Sequence, residues 1–391
     1  METDMRQDDV DIELAHRYRL SLTSAPRQSS FRVVAVIFYE LLGQDKRLHV
    51  VGSNDEPCYI NGSICAERTA LVQLRFLPIK RITKVVITTD AIHPIFPGML
   101  CREFMSSHLF INPETVLIVT AGSICRRSGC ELDIGSGVGA ETEERLNNGC
   151  SCSSSDANTS DNRKCYHNWE VAKNTLPELY PYPSPYTRID AAEAVLLGKK
   201  PSSTTTRTTP KNNEENVSVS VDRTEQRHIL TENLSKEAQL LIDKATKAAE
   251  DGNDRLELHP IQYGAAVLFE DGSIKTACQR KALEYGCSLD AVTQLATYIE
   301  DAKRSPKLIV QTDQFGLVHT PFATARAYLS EFGYGDCGVL VLIPHRPYSP
   351  AANGEDSRVH YITSSQMEVI QVSVTEIAPS APRMESLWEE K

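Results

Sequence analysis

The 391-residue chain has no apolar run near the roughly 20 residues that a membrane-spanning helix needs, so no membrane partner is expected. It has no excess of basic charge: 41 Lys and Arg stand against 52 Asp and Glu, a net charge of −11. Phosphate contacts need clustered Lys and Arg, so this balance argues against a nucleic-acid partner. No glycine-rich loop joins a strand pattern to a helix pattern, which argues against a phosphate-cradling site. Gly135, Gly137 and Gly139 lie in low-complexity surroundings and are discounted. The opening Met1-Glu2-Thr3-Asp4 carries no basic-then-apolar leader, and a cytoplasmic location is expected. The cysteines number 11, an odd count, and their spacing is irregular. In an intracellular chain they read as free thiols and metal ligands rather than as a disulfide framework.

What is present is ordinary globular composition, 41% hydrophobic and 24% charged. At about 150 residues per domain the length suggests two or three domains. Residues 9–22 carry an approximate helical stripe of Ile12, Leu14, Ala15, Tyr18 and Leu22. Residues 31–39, 49–52, 83–89 and 115–120 read as strands, and residues 65–76 and 100–107 as helices. This alternation implies a layered α/β sandwich. Residues 122–168 and 201–225 hold too little apolar surface to offset ordering entropy, so disorder is expected there. Between them, residues 169–199 are apolar enough to dock as an arm. The order of elements then repeats. A helix is expected at 234–250, capped by Ser235, and strands at 263–270 and 273–278 around an Asp271-Gly272 turn. A helix at 289–302, a strand at 308–311, a helix at 322–332 and a strand at 339–343 complete the second set.

The chemistry concentrates in Ile64-Cys65-Ala66-Glu67-Arg68. On the first turn of a helix, this spacing places a thiolate ligand and a proton-carrying carboxylate around one metal ion. Alone the triplet is weak: Cys65 could be a buried free thiol and Glu67 a solvated carboxylate. Asn54-Asp55-Glu56 lies upstream and Pro97-Gly98-Met99-Leu100-Cys101-Arg102 downstream. In that order and spacing the segment resembles the zinc-dependent cytidine deaminases, whose pattern runs Asn-x-Glu, Cys-Ala-Glu-Arg, Pro-Cys-x-x-Cys-Arg. The resemblance implies a three-layer α/β/α cytidine-deaminase-like sandwich with a mixed sheet, present twice. It implies Zn²⁺ held by Cys65 and Cys101, with Glu67 as the proton shuttle. Asn54 and Glu56 match a ribose-binding pair, and Ala66 a position whose main chain meets the cytosine edge. Phe31 matches a position near the base, with core packing an equal reading. Arg68 and Arg102 would hydrogen-bond the thiolates and reduce the negative charge at the metal, or form surface salt bridges.

One departure matters. Gly98 stands where the pattern has a cysteine, and a catalytic zinc normally has three protein ligands. His93 is the first choice for the third corner, with Asp90, Cys58 or a second water as alternatives.

The second half carries an eroded copy. Gln279-Arg280-Lys281 stands for Asn-x-Glu, Asp290-Ala291-Val292 for Cys-Ala-Glu, and Pro321-Phe322-Ala323-Thr324-Ala325-Arg326 for Pro-Cys-x-x-Cys-Arg. Phe322, Ala325 and Val292 cannot supply ligands or carry a proton, so this copy is expected to be metal-free. The expected organisation is 9–121, a deaminase-like domain; 122–228, an insertion with the 169–199 arm; 229–345, the degenerate domain; and 346–391, an irregular extension with room for one strand and an acidic tail. Cys150, Cys152, Cys165 and His167 do not have a standard finger spacing and are not favoured as a zinc knuckle. The leading expectation is deamination of cytidine or deoxycytidine by a homodimer that imitates a four-domain assembly. The competing one is a catalytically inactive deaminase-fold protein used for assembly or ligand binding.

Overall fold

The computed structural model describes residues 2–44, 46–58, 62–91, 93–121, 170–198, 228–231, 233–252, 255–301, 305–344 and 366–381. They form two compact units. One comprises Met1–Met105 with Phe110–Glu178, the other Ser106–Leu109 with Leu179–Lys391. The segments expected to be disordered, 122–168 and 201–225, lie outside the described residues, as do Cys150, Cys152, Cys165, His167 and the acidic tail.

The first unit runs α1 (Glu2–Leu20), β1 (Val33–Leu41), β2 (Arg47–Ser53), α2 (Ala66–Gln73), β3 (Ile79–Thr89), α3 (Met99–Ser107), β4 (Ile111–Thr120) and β5 (Val171–Thr175). The strands form one mixed sheet in the order β2-β1-β3-β4-β5. Only β3 and β4 are parallel; the other neighbours are antiparallel. Strand β1 is β-branched and aromatic, and its side chains alternate between faces. Val34, Val36 and Phe38 join Val86 and Ile118 against Ile12 and Ala15 of α1. Ala35, Ile37, Val85 and Ile87 are buried on the other face. There α2 packs on β1 and β2, burying Ala66, Ala70 and Leu71. The result is three layers.

Helix α1 is held by polar groups as much as by its apolar stripe. Buried Asp11 accepts from both Arg47 terminal nitrogens, at 2.8 and 2.6 Å, and from Lys84 at 2.6 Å. A carboxylate tolerates that burial only because it is paired. His16, also buried, bonds Thr88 Oγ1 at 2.9 Å and Thr120 Oγ1 at 2.7 Å. Those threonines are register partners on β3 and β4, so one imidazole ties the helix to both strands.

After β5 come α4 (Leu176–Leu179) and α5 (Ala191–Gly198). The rest of the second unit is β6 (His228–Leu230), α6 (Lys236–Asp251), β7 (Tyr263–Phe269), β8 (Ile274–Cys278), α7 (Ala296–Asp301), β9 (Pro306–Asp313), β10 (Val318–His319), α8 (Ala323–Glu331), β11 (Gly338–Pro344), β12 (Gln366–Ser373) and α9 (Val374–Ile377). Its main sheet has the order β6-β12-β11-β9-β7-β8, with β10 beside β9. Alternation again makes two cores. Ala266, Leu268, Leu308 and Val310 meet Leu241, Ile242 and Ala245 of α6. Ala265, Val267, Ile309 and Val339 meet Val292, Leu295, Ala325 and Leu329 on the other face. Ser235 caps α6, its hydroxyl accepting from Ala238 N at 3.1 Å. Gly272, at φ +80°, turns the β7–β8 hairpin, where L side chains are strained.

The path β8-β7-β9-β11-β12 repeats β2-β1-β3-β4-β5, with pairings antiparallel, antiparallel, parallel and antiparallel in both. The last strand of each path runs into a one-turn helix capped the same way. Glu178 accepts from Thr175 N at 2.6 Å, and Glu376 from Ser373 N at 2.7 Å. The fold is therefore α/β, with two mixed sheets of matching topology.

Several expectations change. The 169–199 arm is divided: Val171–Thr175 is β5, pairing with β4, and residues 179–198 belong to the second unit. The extension from 346 has the one strand it was given room for, β12, but that strand is part of the sheet, pairing with β11 along its length. In both sheets this strand covers backbone that would otherwise be an open edge. The helix expected at 289–302 begins instead as a 3₁₀ turn, Thr293–Leu295, before α7. Its start is set by Asp290 Oδ1, which accepts from Thr293 N at 2.9 Å.

Gly52 permits the tightest approach in the first unit. A Cβ there would lie 2.3 Å from Ala66 O and 2.5 Å from Ala70 N, both backbone atoms of α2. Gly52→Ala is expected to lose about 1–3 kcal/mol of stability in denaturant titration, the usual overpacking cost. An unchanged unfolding midpoint would show that α2 is not seated on β2 in this way.

Candidate metal centre

Helix α2 starts at Cys65, its N-cap residue, whose extended backbone (φ −78°, ψ 154°) turns the chain into the helix. The step before it is fixed by an isolated antiparallel bridge, Asp55 with Ile64, both N–H···O distances being 3.0 Å. The bridge sets the Asn54–Glu56 loop beside the start of α2. Helix α3 contributes Cys101, fully buried, whose N–H and that of Arg102 donate to Gly98 O at 3.0 Å. Cys65 Sγ, Cys101 Sγ and a Glu67 carboxylate oxygen all lie within 4.8 Å of one another. It is the one such group found among the described residues.

The electrostatics pull the Cys65 thiol and the Glu67 carboxyl in opposite directions. The Cys65 thiol is drawn down to about 6, first by the hydrogen bond from Cys101, against burial, and then by Arg68. Arg68 Nη2 donates to Cys65 Sγ at 3.6 Å and to Ser63 O at 3.3 Å. The helix N-terminus adds to this pull. The Cys101 thiol is pushed up by its bond to Cys65 and by burial. Burial, then the neighbouring Cys65 thiolate, raises Glu67 to about 7.

The donor chemistry fits a soft divalent ion such as Zn²⁺: two sulfurs and a carboxylate, with an arginine behind one sulfur. Ser63 Oγ and Arg68 Nε, flanking Cys65, are buried without hydrogen-bond partners, which is unmet polar capacity at the same place. Sequence spacing gave no sign of Ser63.

The remaining expected residues fall as follows. His93 is exposed and its Nδ1 lies 2.9 Å from Glu170 Oε2; it is not part of the cysteine group. Asp90 is engaged by Arg32, at 3.0 Å, and by Arg19. Cys58 is exposed and outside the group. None of these three belongs to the cysteine group, and Asp90 is held instead against α1 and the start of β1 by Arg19 and Arg32. At Gly98 a Cβ would meet nothing within 4 Å. Asn54 spends its amide on backbone: Oδ1 accepts from Val33 N and Nδ2 donates to Phe31 O, both at 2.8 Å. Glu56 accepts from Ser29 N and Oγ, both at 2.8 Å, and is near enough to oppose the Cys65 thiolate. Phe31 is half-buried, and Ala66 fully buried. Arg102 is buried, its Nε donating to Pro97 O at 2.6 Å.

The second unit keeps this skeleton without its chemistry. Arg280 bridges Leu289 as Asp55 bridges Ile64. Gln279 N donates to Tyr263 O at 2.8 Å, as Asn54 N does to Val33 O at 3.2 Å. Arg326 Nε donates to Pro321 O at 2.8 Å, as Arg102 Nε does to Pro97 O. Where the first unit has Glu67 and Cys101, the second has Val292 and Ala325 in an apolar cluster. Phe322 packs edge-on against Tyr263, ring centroids 4.9 Å apart.

No family model matches the chain, and no curated protein matches it. Among solved structures, the cytidine deaminase of Mycobacterium tuberculosis is 19% identical, over 38% of this chain and 98% of that chain, with a TM-score of 0.28. That of Burkholderia pseudomallei is 18% identical, over 44% and 93%, with a TM-score of 0.27. That of Bacillus anthracis is 14% identical, over 39% and 92%, with a TM-score of 0.25. Among the described residues no helix is long and apolar enough to cross a membrane.

The raised Glu67 carboxyl has a consequence for metal-free protein. A group whose folded value is raised contributes stability below its unfolded value of 4.5, and that contribution is lost as pH rises to about 7. In chelator-treated protein, Glu67→Gln is expected to match wild type near pH 4 and to be the more stable above pH 7. Urea titrations across this range check it; parallel curves would place Glu67 in a wetter setting.

Proposed function

We propose that the first unit is a zinc-dependent hydrolase that deaminates cytidine or deoxycytidine to the uridine product. The observation that carries this reading is the buried Glu67 carboxyl within 4.8 Å of two cysteine sulfurs. Cys65 and Cys101 would hold Zn²⁺, whose Lewis acidity makes a water nucleophilic at neutral pH. Glu67 would take the proton released as water adds at C4 of the ring and deliver it to N3. It would then assist departure of the amine as ammonia, so that cytidine and water become uridine and ammonia. Burial, which raises the Glu67 carboxyl above the usual carboxylate range in metal-free protein, suits a group that both accepts and gives that proton. Arg68 would hold the Cys65 sulfur in place. Glu56, and any capacity of Asn54 left beyond its backbone bonds, would meet the sugar. The net charge of −11 favours a free nucleoside over a polynucleotide. A homodimer would gather four such units.

The second reading is a closed, inactive centre, and Gly98 is what favours it. With no side chain there, Glu67 becomes the third donor within reach and would be a ligand rather than a proton carrier.

One set of measurements separates the two: zinc content and cytidine-to-uridine absorbance change for wild type, Cys65→Ala and Glu67→Gln. The proposal expects about one zinc per chain in wild type, lost in Cys65→Ala. Glu67→Gln should keep its zinc and lose at least 100-fold in turnover, the lower end of general acid–base effects of about 10²–10⁴. Loss of zinc in Glu67→Gln, with no turnover in wild type, would establish the closed centre.

A further inference from the structure

The second unit buries polar groups that no protein atom satisfies. Gln311 is fully buried, and neither its Oε1 nor its Nε2 has a hydrogen-bond partner. Oε1 of Gln279 is buried and unpartnered as well. Native proteins keep few such groups, because a dry amide is strongly disfavoured.

Both lie on one face of the sheet. Ala265 on β7 is the register partner of Gln311 on β9 and of Ala277 on β8. Gln279 stands two residues beyond Ala277, so by alternation it shares that face. This is the face of Val292 and Ala325, the positions that answer to Glu67 and Cys101 in the first unit. Gln279 itself occupies the position of Asn54. Asn54 spends its short amide on backbone, whereas the longer Gln279 leaves its oxygen unspent. Two carboxamides with unmet capacity thus lie on the sheet face that, in the first unit, carries the metal centre.

The charges around them are already committed. Asp313 accepts from Tyr186 Oη at 2.5 Å, Phe315 N at 2.8 Å and Leu317 N at 3.0 Å, and its Oδ2 lies 3.2 Å from His319 Nε2. Arg326 donates to the carbonyls of Pro321, Pro181, Ile377 and Tyr182. Asp290 caps the turn at Thr293. What this face leaves unmet is neutral. A carboxamide presents one donor and one acceptor side by side, and its complement is a planar ring with an amide-like edge. Tyr263 and Phe322 supply aromatic surface next to it.

We propose that the second unit is a metal-independent binding site for a neutral pyrimidine nucleoside or base, read by Gln311 with Gln279. The site needs neither zinc nor turnover in the first unit, so it stands or falls apart from the function proposed there.

Isothermal titration of the full chain tests it, with uridine and cytidine as probes, ribose as control and chelator present. The chain is used as wild type and as Cys65→Ala/Cys101→Ala, each with and without Gln311→Leu. The expected result is saturable nucleoside binding that survives the double cysteine change, with no heat from ribose. Gln311→Leu should weaken that binding at least tenfold while raising the melting temperature, because it removes an unpaired buried amide and does not disturb the fold. Gln279→Ala should weaken it several-fold. Absence of nucleoside binding in the cysteine variant, with its wild-type melting temperature retained, would overturn the proposal. So would binding that Gln311→Leu leaves unchanged. Failure of the first-unit reading would appear differently, as wild-type protein with a single nucleoside site that Gln311→Leu removes.

Discussion

The seating of α2 on β2 is the constraint from which the first unit's chemistry follows. At Gly52 the strand backbone meets the helix backbone so closely that a single Cβ would fall 2.3 Å from Ala66 O. That contact fixes the height and rotation of the first helical turn. It thereby places Cys65, whose sulfur faces Arg68, and Glu67, a residue only 4% exposed. The Asp55–Ile64 bridge then sets the approach of the upstream loop, and α3 brings Cys101 from the other side. Burial and the nearby sulfur act together on Glu67, which is why the acid sits near 7 rather than in the usual carboxylate range.

The second unit shows the same framework with its chemistry removed. Strand order, pairing directions, the isolated bridge and the arginine-to-proline hydrogen bond all persist. Val292 and Ala325 have become core. A framework is held by backbone geometry and layer packing, which many side chains satisfy, whereas ligation and proton transfer depend on a few atoms. Arg326, buried and bonded to four carbonyls, holds the chain at Pro321, Pro181, Tyr182 and Ile377.

Much of this was legible in the residues. The β-branched runs at 31–39 and 83–89 read as strands because both faces of the sheet are buried, and Cys65, Glu67 and Cys101 read as a centre only because, together with Asn54-Asp55-Glu56 and Arg102, their order and spacing resemble the cytidine-deaminase pattern. Strand β5 was not legible, and β12 was legible only as room for one strand somewhere in 346–391. Each is separated from its partner strand by a long segment, and the half-exposed Val-Ala-Lys-Asn-Thr of β5 carries little pattern of its own. The fate of His93 and Asp90 was hidden for a similar reason: Glu170, Arg19 and Arg32, their partners, are remote in sequence. Gln311 is a polar residue in an interior strand, where burial makes it informative only once its missing partners are seen.

The account rests on two sulfurs gripping one metal ion, and X-ray absorption at the zinc edge of the metal-loaded chain reads that directly. It should show two sulfur neighbours at about 2.3 Å, with one of them lost in Cys65→Ser and one in Cys101→Ser. A first shell of oxygen and nitrogen alone, unchanged by either substitution, would contradict it.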